Sequence, residues 1–205
     1  MDLDNYLAYV AISFFTITSP GAAILLAINN AMMYSLRATF LSTLGNIIGL
    51  FILSSIAFFW IGAIVGIWEY FFVFLKIAGA LYLVFLGLKQ IFNKNLHFQV
   101  NPSKKAMFSS SEVFKKGFLV AITNPKAILF FSAIFPLFLQ KNSSLTLQFF
   151  IMTFTFMAIS FSSLMFYGAL SKYTKLWFFN ERKTSIFYKI SGLLFILMGI
   201  CMLFV

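Results

Sequence analysis

Apolar residues along this chain fall into long blocks, with polar positions gathered into the short stretches between them. Six blocks can be read, roughly 5–29, 40–66, 70–91, 110–139, 145–170 and 186–205. Each approaches the ~20 residues an α-helix needs to cross a hydrocarbon core. The expected fold is an all-α integral membrane protein of six transmembrane helices. Two blocks are interrupted. Residues 121–131 read AITNPKAILFF, which puts Asn124, Pro125 and Lys126 inside an apolar run, and the first block contains Ser19-Pro20-Gly21. Proline removes a helical hydrogen bond and clashes with the preceding turn, and it pushes the residue before it out of helical geometry. The first and fourth helices are therefore expected to be broken at Pro20 and Pro125. Ser109-x-x-Glu112 has the form of a capping box and places the start of the fourth helix near residue 110.

Composition turns this pattern into a membrane assignment. Mean hydropathy is +0.96, and only 10% of residues are charged, against roughly 25% in soluble domains. The chain lacks the polar surface to face water on all sides. Asp2 and Asp4 stand where a secretory signal would carry Lys or Arg, so the first span is expected to be retained. Cys201 is the only cysteine, which excludes an intrachain disulfide or a CxxC pair. The interior of the spans has no His or acid to cluster with it. Catalytic residues, a metal and a cofactor are accordingly not expected, and the chain does not read as an enzyme.

The net charge of +10 changes the picture through its distribution. With six spans, twelve of the 15 basic residues fall on one side, in the loops around Arg37, around 89–116 and around 172–189. The other side receives only Lys141, with Asp2, Asp4 and Glu69. Basic residues of short loops stay cytoplasmic. This places the protein in the cytoplasmic (inner) membrane with both termini outside, and makes 93–109 a basic cytoplasmic loop. These lysines face anionic membrane lipid and do not form a nucleic-acid surface. His97, in the same loop, reads as solvated.

The two halves resemble each other. Residues 76–82 read KIAGALY and residues 189–195 read KISGLLF, at an offset of 113, while Ser19-Pro20-Gly21-Ala22 matches Asn124-Pro125-Lys126-Ala127 at an offset of 105. The expected domain is single, with repeat 1 at 1–92 and repeat 2 at 110–205. Three spans per repeat invert the second half, the architecture of many secondary transporters. By that symmetry Lys76 lies near the outer interface, within snorkelling reach. Lys126 lies ten residues beyond Lys116, about 15 Å deeper, near the bilayer centre. A charge there is costly and faces a cavity or a partner, either a ligand or a backbone carbonyl.

Each break creates a half-helix N-terminus with free N–H groups and partial positive charge. The first span runs inward and the fourth outward, so the two ends approach the midplane from opposite sides. A carboxylate suits that meeting point, and Lys126 adds a full charge. Polar stripes accompany it, Thr39, Ser42, Asn46 and Gly49 in the second span and Thr146, Thr153, Ser160, Ser163 and Tyr167 in the fifth. They either line a cavity or bond neighbouring helices. The candidate substrate-binding residues are Ser19, Pro20, Gly21, Asn46, Asn124, Pro125, Lys126, Ser160 and Ser163. Gly45-x-x-x-Gly49 and Gly62-x-x-x-Gly66 permit close helix contact, within one chain or in a homo-oligomer.

These motifs together resemble the LysE/RhtB family of amino-acid exporters over essentially the whole chain. The resemblance is carried by Ser19-Pro20-Gly21, Gly45-Asn46-x-x-Gly49, LKIAGALYLVFLG at 75–87, TNPKAILFFSAIFPLFL at 123–139 and GLLFILMG at 192–199. It implies efflux of amino acids or close derivatives, driven by the proton gradient, with a small-molecule amino-acid substrate held around Pro20, Gly21, Asn124, Pro125 and Lys126. Neutral or hydroxy amino acids are the expected cargo. Two positions depart from the family pattern: Asn46 stands where many members have Asp, and the fifth span offers only Ser160, Ser162 and Ser163 where some carry an acid. A passive pore and a non-transporting structural or immunity-type membrane protein are the alternative readings.

Overall fold

The computed structural model describes residues 2–19, 21–64, 109–140 and 143–171, with side chains for 60–64 left aside, and scattered positions within 77–92 and 185–200. Among the described residues the chain is helical between short connections, with no strand. α1 (Leu3–Thr18) and α2 (Ala22–Met33) form a pair bent by 52°. α3 (Leu36–Ile64) follows after a tight turn. α4 (Ser110–Thr123) and α5 (Pro125–Phe138) form a second pair, bent by 47°, and α6 (Leu145–Ala169) runs unbroken. α3 and α6 are each long and apolar enough to span a bilayer, and counting each bent pair as one span gives up to four candidate spans. Most of the third and sixth apolar blocks, with Pro20, Lys76, Gly66 and Cys201, lies outside the described residues. The helical positions described there touch, since a Cβ added to Gly87 would meet the carbonyl of Gly192 and the side chain of Ile196.

Glycine sets the closest helix contact. A Cβ at Gly45 would run into the backbone of Phe114 and Phe118, one at Gly49 into Ala121 and Phe118, and one at Gly117 into the backbone of Ser42. The Gly45/Gly49 face is thus occupied by α4 within the same chain, so this pair is not free for contact between subunits. Rising numbers on α3 meet rising numbers on α4, so the two helices are parallel.

α5 is not a uniform helix. Pro125 occupies its first turn and Asn124 caps it, the Asn124 Oδ1 accepting the Lys126 N–H at 3.1 Å. The helix then passes through a π segment, Phe130–Ile134, into a 3-10 turn, Phe135–Phe138. Pro136 explains the change, because it lacks an N–H and its ring clashes with the carbonyl four residues back, so the ladder shifts register around it. The shift turns Phe130, Phe131, Phe135 and Phe138 inward against Tyr9, Phe149, Met152 and Phe156. Tyr9, wholly buried there, donates its OH to the Met152 carbonyl at 2.9 Å. At the same end the Asp2 N–H donates to Gln140 Oε1 at 3.0 Å and Asn5 Nδ2 donates to the Phe138 carbonyl at 2.8 Å. The start of α1 and the end of α5 therefore lie together.

Two local expectations are corrected. α4 begins at Ser110, but Ser109 and Glu112 form no capping box; both are exposed, where the first-turn N–H groups are open to solvent and need no side-chain cap. Thr146 is exposed and does not share the buried face of α6, because Gln148 takes the inner position and donates to the Gln140 carbonyl at 2.8 Å.

Candidate functional site

The site begins with what the first break leaves unpaired. α1 stops at Thr18, so its last carbonyls lose their helical partners. In a membrane these groups must be met by protein or by cavity water. Tyr167 of α6 donates its OH to the Thr18 carbonyl at 3.0 Å, and Lys126 of α5 donates its Nζ to the Ser19 carbonyl at 2.8 Å. The lysine ammonium thus rests at the negative end of α1 and meets a backbone carbonyl, one of the two partner types expected for a charge inside a span.

On the other side of the break, Gly21 is the N-cap of α2 with extended backbone that any residue adopts, and no side chain caps the helix. Among the described residues no side chain meets the first N–H groups of α2, which face the break. The second break differs: Pro125 has no N–H and Asn124 takes that of Lys126, so α5 offers chiefly the Lys126 side chain.

Between the breaks lies a cavity of about 50 Å³. Its polar lining comes from Thr16 and Ser19 of the first segment, Asn46 of α3, Asn124, Lys126 and Ser160 of α6, with the Gly21 backbone. Its apolar lining includes Ile17, Leu50, Phe156 and Leu164. A water needs roughly 10–15 Å³ on this scale, so the cavity has room for a few waters, less space than an amino acid occupies.

Ser19, Gly21, Asn46, Asn124, Lys126 and Ser160, six of the nine candidate residues, share this one cavity. Pro125 does not line it but sits between two residues that do. Pro20 lies outside the described residues. Ser163 is separated from the group and lines a larger, open groove of about 780 Å³ with Phe14, Thr18, Phe166 and Tyr167. Thr39 serves packing, its hydroxyl donating to the Ala27 carbonyl at 3.1 Å. Thr16 was missed by the sequence reading. The available signal was its position one turn before Ser19, on the same face of α1.

Comparison with known proteins agrees with this picture. Residues 14–204 match the model of the LysE type translocator family. An uncharacterized membrane protein of Bacillus subtilis, YrhP, is 28% identical over 97% of this chain and 98% of its own length. The leucine efflux proteins of Salmonella choleraesuis and Salmonella paratyphi A are each 28% identical over 79% of this chain and 76% of theirs. No solved structure matches the chain. The protein belongs to the LysE type translocator family, a family of membrane transporters and not of enzymes.

Proposed function

We propose that this LysE-type protein is a secondary transporter that exports neutral amino acids, hydroxy amino acids among them, or close derivatives across the cytoplasmic membrane. The observation that carries this reading is the cavity where both broken spans, α3 and α6 converge, with Lys126 on its wall. A substrate carboxylate would bind near Pro20 and Pro125, exchanging for the Ser19 carbonyl at the Lys126 ammonium and accepting from the open N–H end of α2. The apolar lining suits an aliphatic side chain, and the leucine efflux relatives support that cargo.

Six spans in two inverted repeats, 1–92 and 110–205, belong to the same proposal. Parallel α3 and α4 support it, because two spans that run in the same direction call for a return crossing between them. The junction of Asp2 with Gln140 supports placing the N-terminus on the side of the α5–α6 connection. With the lysine distribution, this supports a reading with both termini outside.

Proteoliposomes loaded with labelled neutral and hydroxy amino acids, with and without a pH gradient, test the function. Saturable, gradient-dependent movement of at least one of them is expected, and no movement across the panel removes the reading. A tag at Val205 should be reachable from outside the cytoplasmic membrane and one inserted in 93–109 only from the cytoplasm.

A further inference from the structure

Three of the polar residues lining the cavity have no side-chain hydrogen bond among the described residues. Thr16, Asn46 and Ser160 are only 3%, 5% and 5% exposed. Among the described residues the Thr16 hydroxyl has no hydrogen-bond partner, and no side-chain hydrogen bond joins Asn46 or Ser160 to another residue. Buried polar groups are nearly always paired, and leaving one unpaired is costly. Some polar side chains on these helices are satisfied, as Thr39 by Ala27 and Ser42 by Thr39, and others, Ser13, Thr43, Thr153 and Ser163, are buried without a partner among the described residues but do not line this cavity. The unpaired three come from three different helices and converge on the space beside Lys126.

We propose that Thr16, Asn46 and Ser160 form the subsite for the α-ammonium group of the transported amino acid. This rests on the carboxylate reading above and completes it. An ammonium carries three N–H donors and no acceptor, and each of the three side chains presents a neutral acceptor oxygen: Thr16 Oγ1, Asn46 Oδ1 and Ser160 Oγ. The charge of Lys126 sets the polarity of the site. A ligand ammonium cannot share that pole without like-charge repulsion, which is strong where water is excluded, so the carboxylate goes to Lys126 and the ammonium to the uncharged oxygens. The subsite thus selects zwitterions, accepting a cation without placing a fixed negative charge in the membrane.

The test compares amino acids with their deaminated counterparts on the reconstituted full-length protein: L-leucine against 4-methylpentanoate, and L-threonine against 3-hydroxybutanoate. Near-isosteric changes, Thr16→Val, Asn46→Leu and Ser160→Ala, remove the acceptors one at a time. Each should weaken the transported amino acid by roughly tenfold to a hundredfold, as expected for one charge-assisted bond, and leave inhibition by the deaminated acid within about twofold. Because the deleted groups are unpaired in the ligand-free protein, its melting temperature should stay level or rise. Equal loss for both members of a pair, or no loss for either, overturns the subsite while leaving transport standing. Wild-type affinity that requires sodium, with that requirement lost in the variants, overturns it in favour of a metal cation. Wild-type protein that moves neither amino acid removes the transport reading and the subsite with it.

Discussion

The two breaks in the bent helix pairs look alike in sequence and are finished differently in space. At Asn124-Pro125 the chain closes its own gap: the Asn124 side chain caps the new helix, and Pro125 brings no N–H to satisfy. At Ser19–Gly21 the chain still bonds the Ser19 N–H to the Phe15 carbonyl, but no side-chain cap comparable to Asn124 is found among the described residues. Its carbonyls are met from across the fold by Tyr167 and Lys126, and the helix that follows has no side-chain cap. The second break is therefore a finished structural element that delivers a cation, and the first is an open one that receives it. On the proposed reading, a polar interruption inside a membrane marks a ligand site where its groups are left over, and the two breaks are one of each kind.

The sharpest way to break that comparison is to remove what links them. Lys126→Ala should lower transport to background while the protein still inserts, because the charge facing a substrate carboxylate is lost and only one bond to the Ser19 carbonyl goes with it. Lys126→Arg should be impaired but not dead, since a planar guanidinium on a longer stem presents the charge in another place. Lys76→Ala is the control, expected to leave transport nearly intact. Efflux rates from proteoliposomes check all three, and wild-type rates in Lys126→Ala would reduce the lysine to a cap on α1.

Next in size is a change that should act on stability and not on the site. Gly117→Ala places a methyl on the backbone of Ser42, and Gly45→Ala places one on Phe114. Neither backbone can retreat without parting α3 from α4. Overpacking of this kind costs about 1–3 kcal/mol, so both variants should melt at clearly lower temperature in detergent. Unchanged melting would mean that the helices are less tightly apposed than their glycines imply.

How legible this was in the sequence follows from the same contrast. The membrane class and the breaks rest on local rules, namely hydropathy and proline geometry, and could be read directly. So could the grouping of Asn46 and Ser160 with the breaks, since each lies on a polar helical face. Which polar residue on such a face meets a ligand and which bonds a neighbour is decided by the partner helix. That is why Thr39 turned out to serve packing, Ser163 to line a separate groove, and Thr16 to go unnoticed in an apolar stretch. The π and 3-10 course of α5 was equally hidden, although Pro136 is its cause.

A smaller effect should come from Asn124→Ala. Losing an N-cap costs about 1 kcal/mol, so a modest drop in melting temperature is expected. The first turn of α5 also orients Lys126, so transport should fall severalfold, and Asn124→Asp or Asn124→Ser, which keep a cap oxygen, should restore most of the stability. A variant with normal transport and lowered stability would show that the lysine is held by Ser19 alone.

The smallest expected change in stability is at Gly21, and it probes the open break most directly. Its backbone is extended, so alanine brings no conformational strain. A Cβ built there meets nothing nearer than the Lys126 Nζ at 3.8 Å and the Ser19 carbonyl oxygen at 4.0 Å, ordinary contact distances. Gly21→Ala should therefore melt within a degree or two of wild type, in contrast to Gly45→Ala and Gly117→Ala on the packed face. The new methyl nevertheless stands beside the ammonium and at the entrance to the first N–H groups of α2, where the carboxylate is proposed to bind. Affinity should fall severalfold for Gly21→Ala and further for Gly21→Val, with melting temperature little changed across the series. If transport instead follows melting temperature through all the glycine variants, the first break is structural like the second, and the carboxylate does not bind between them.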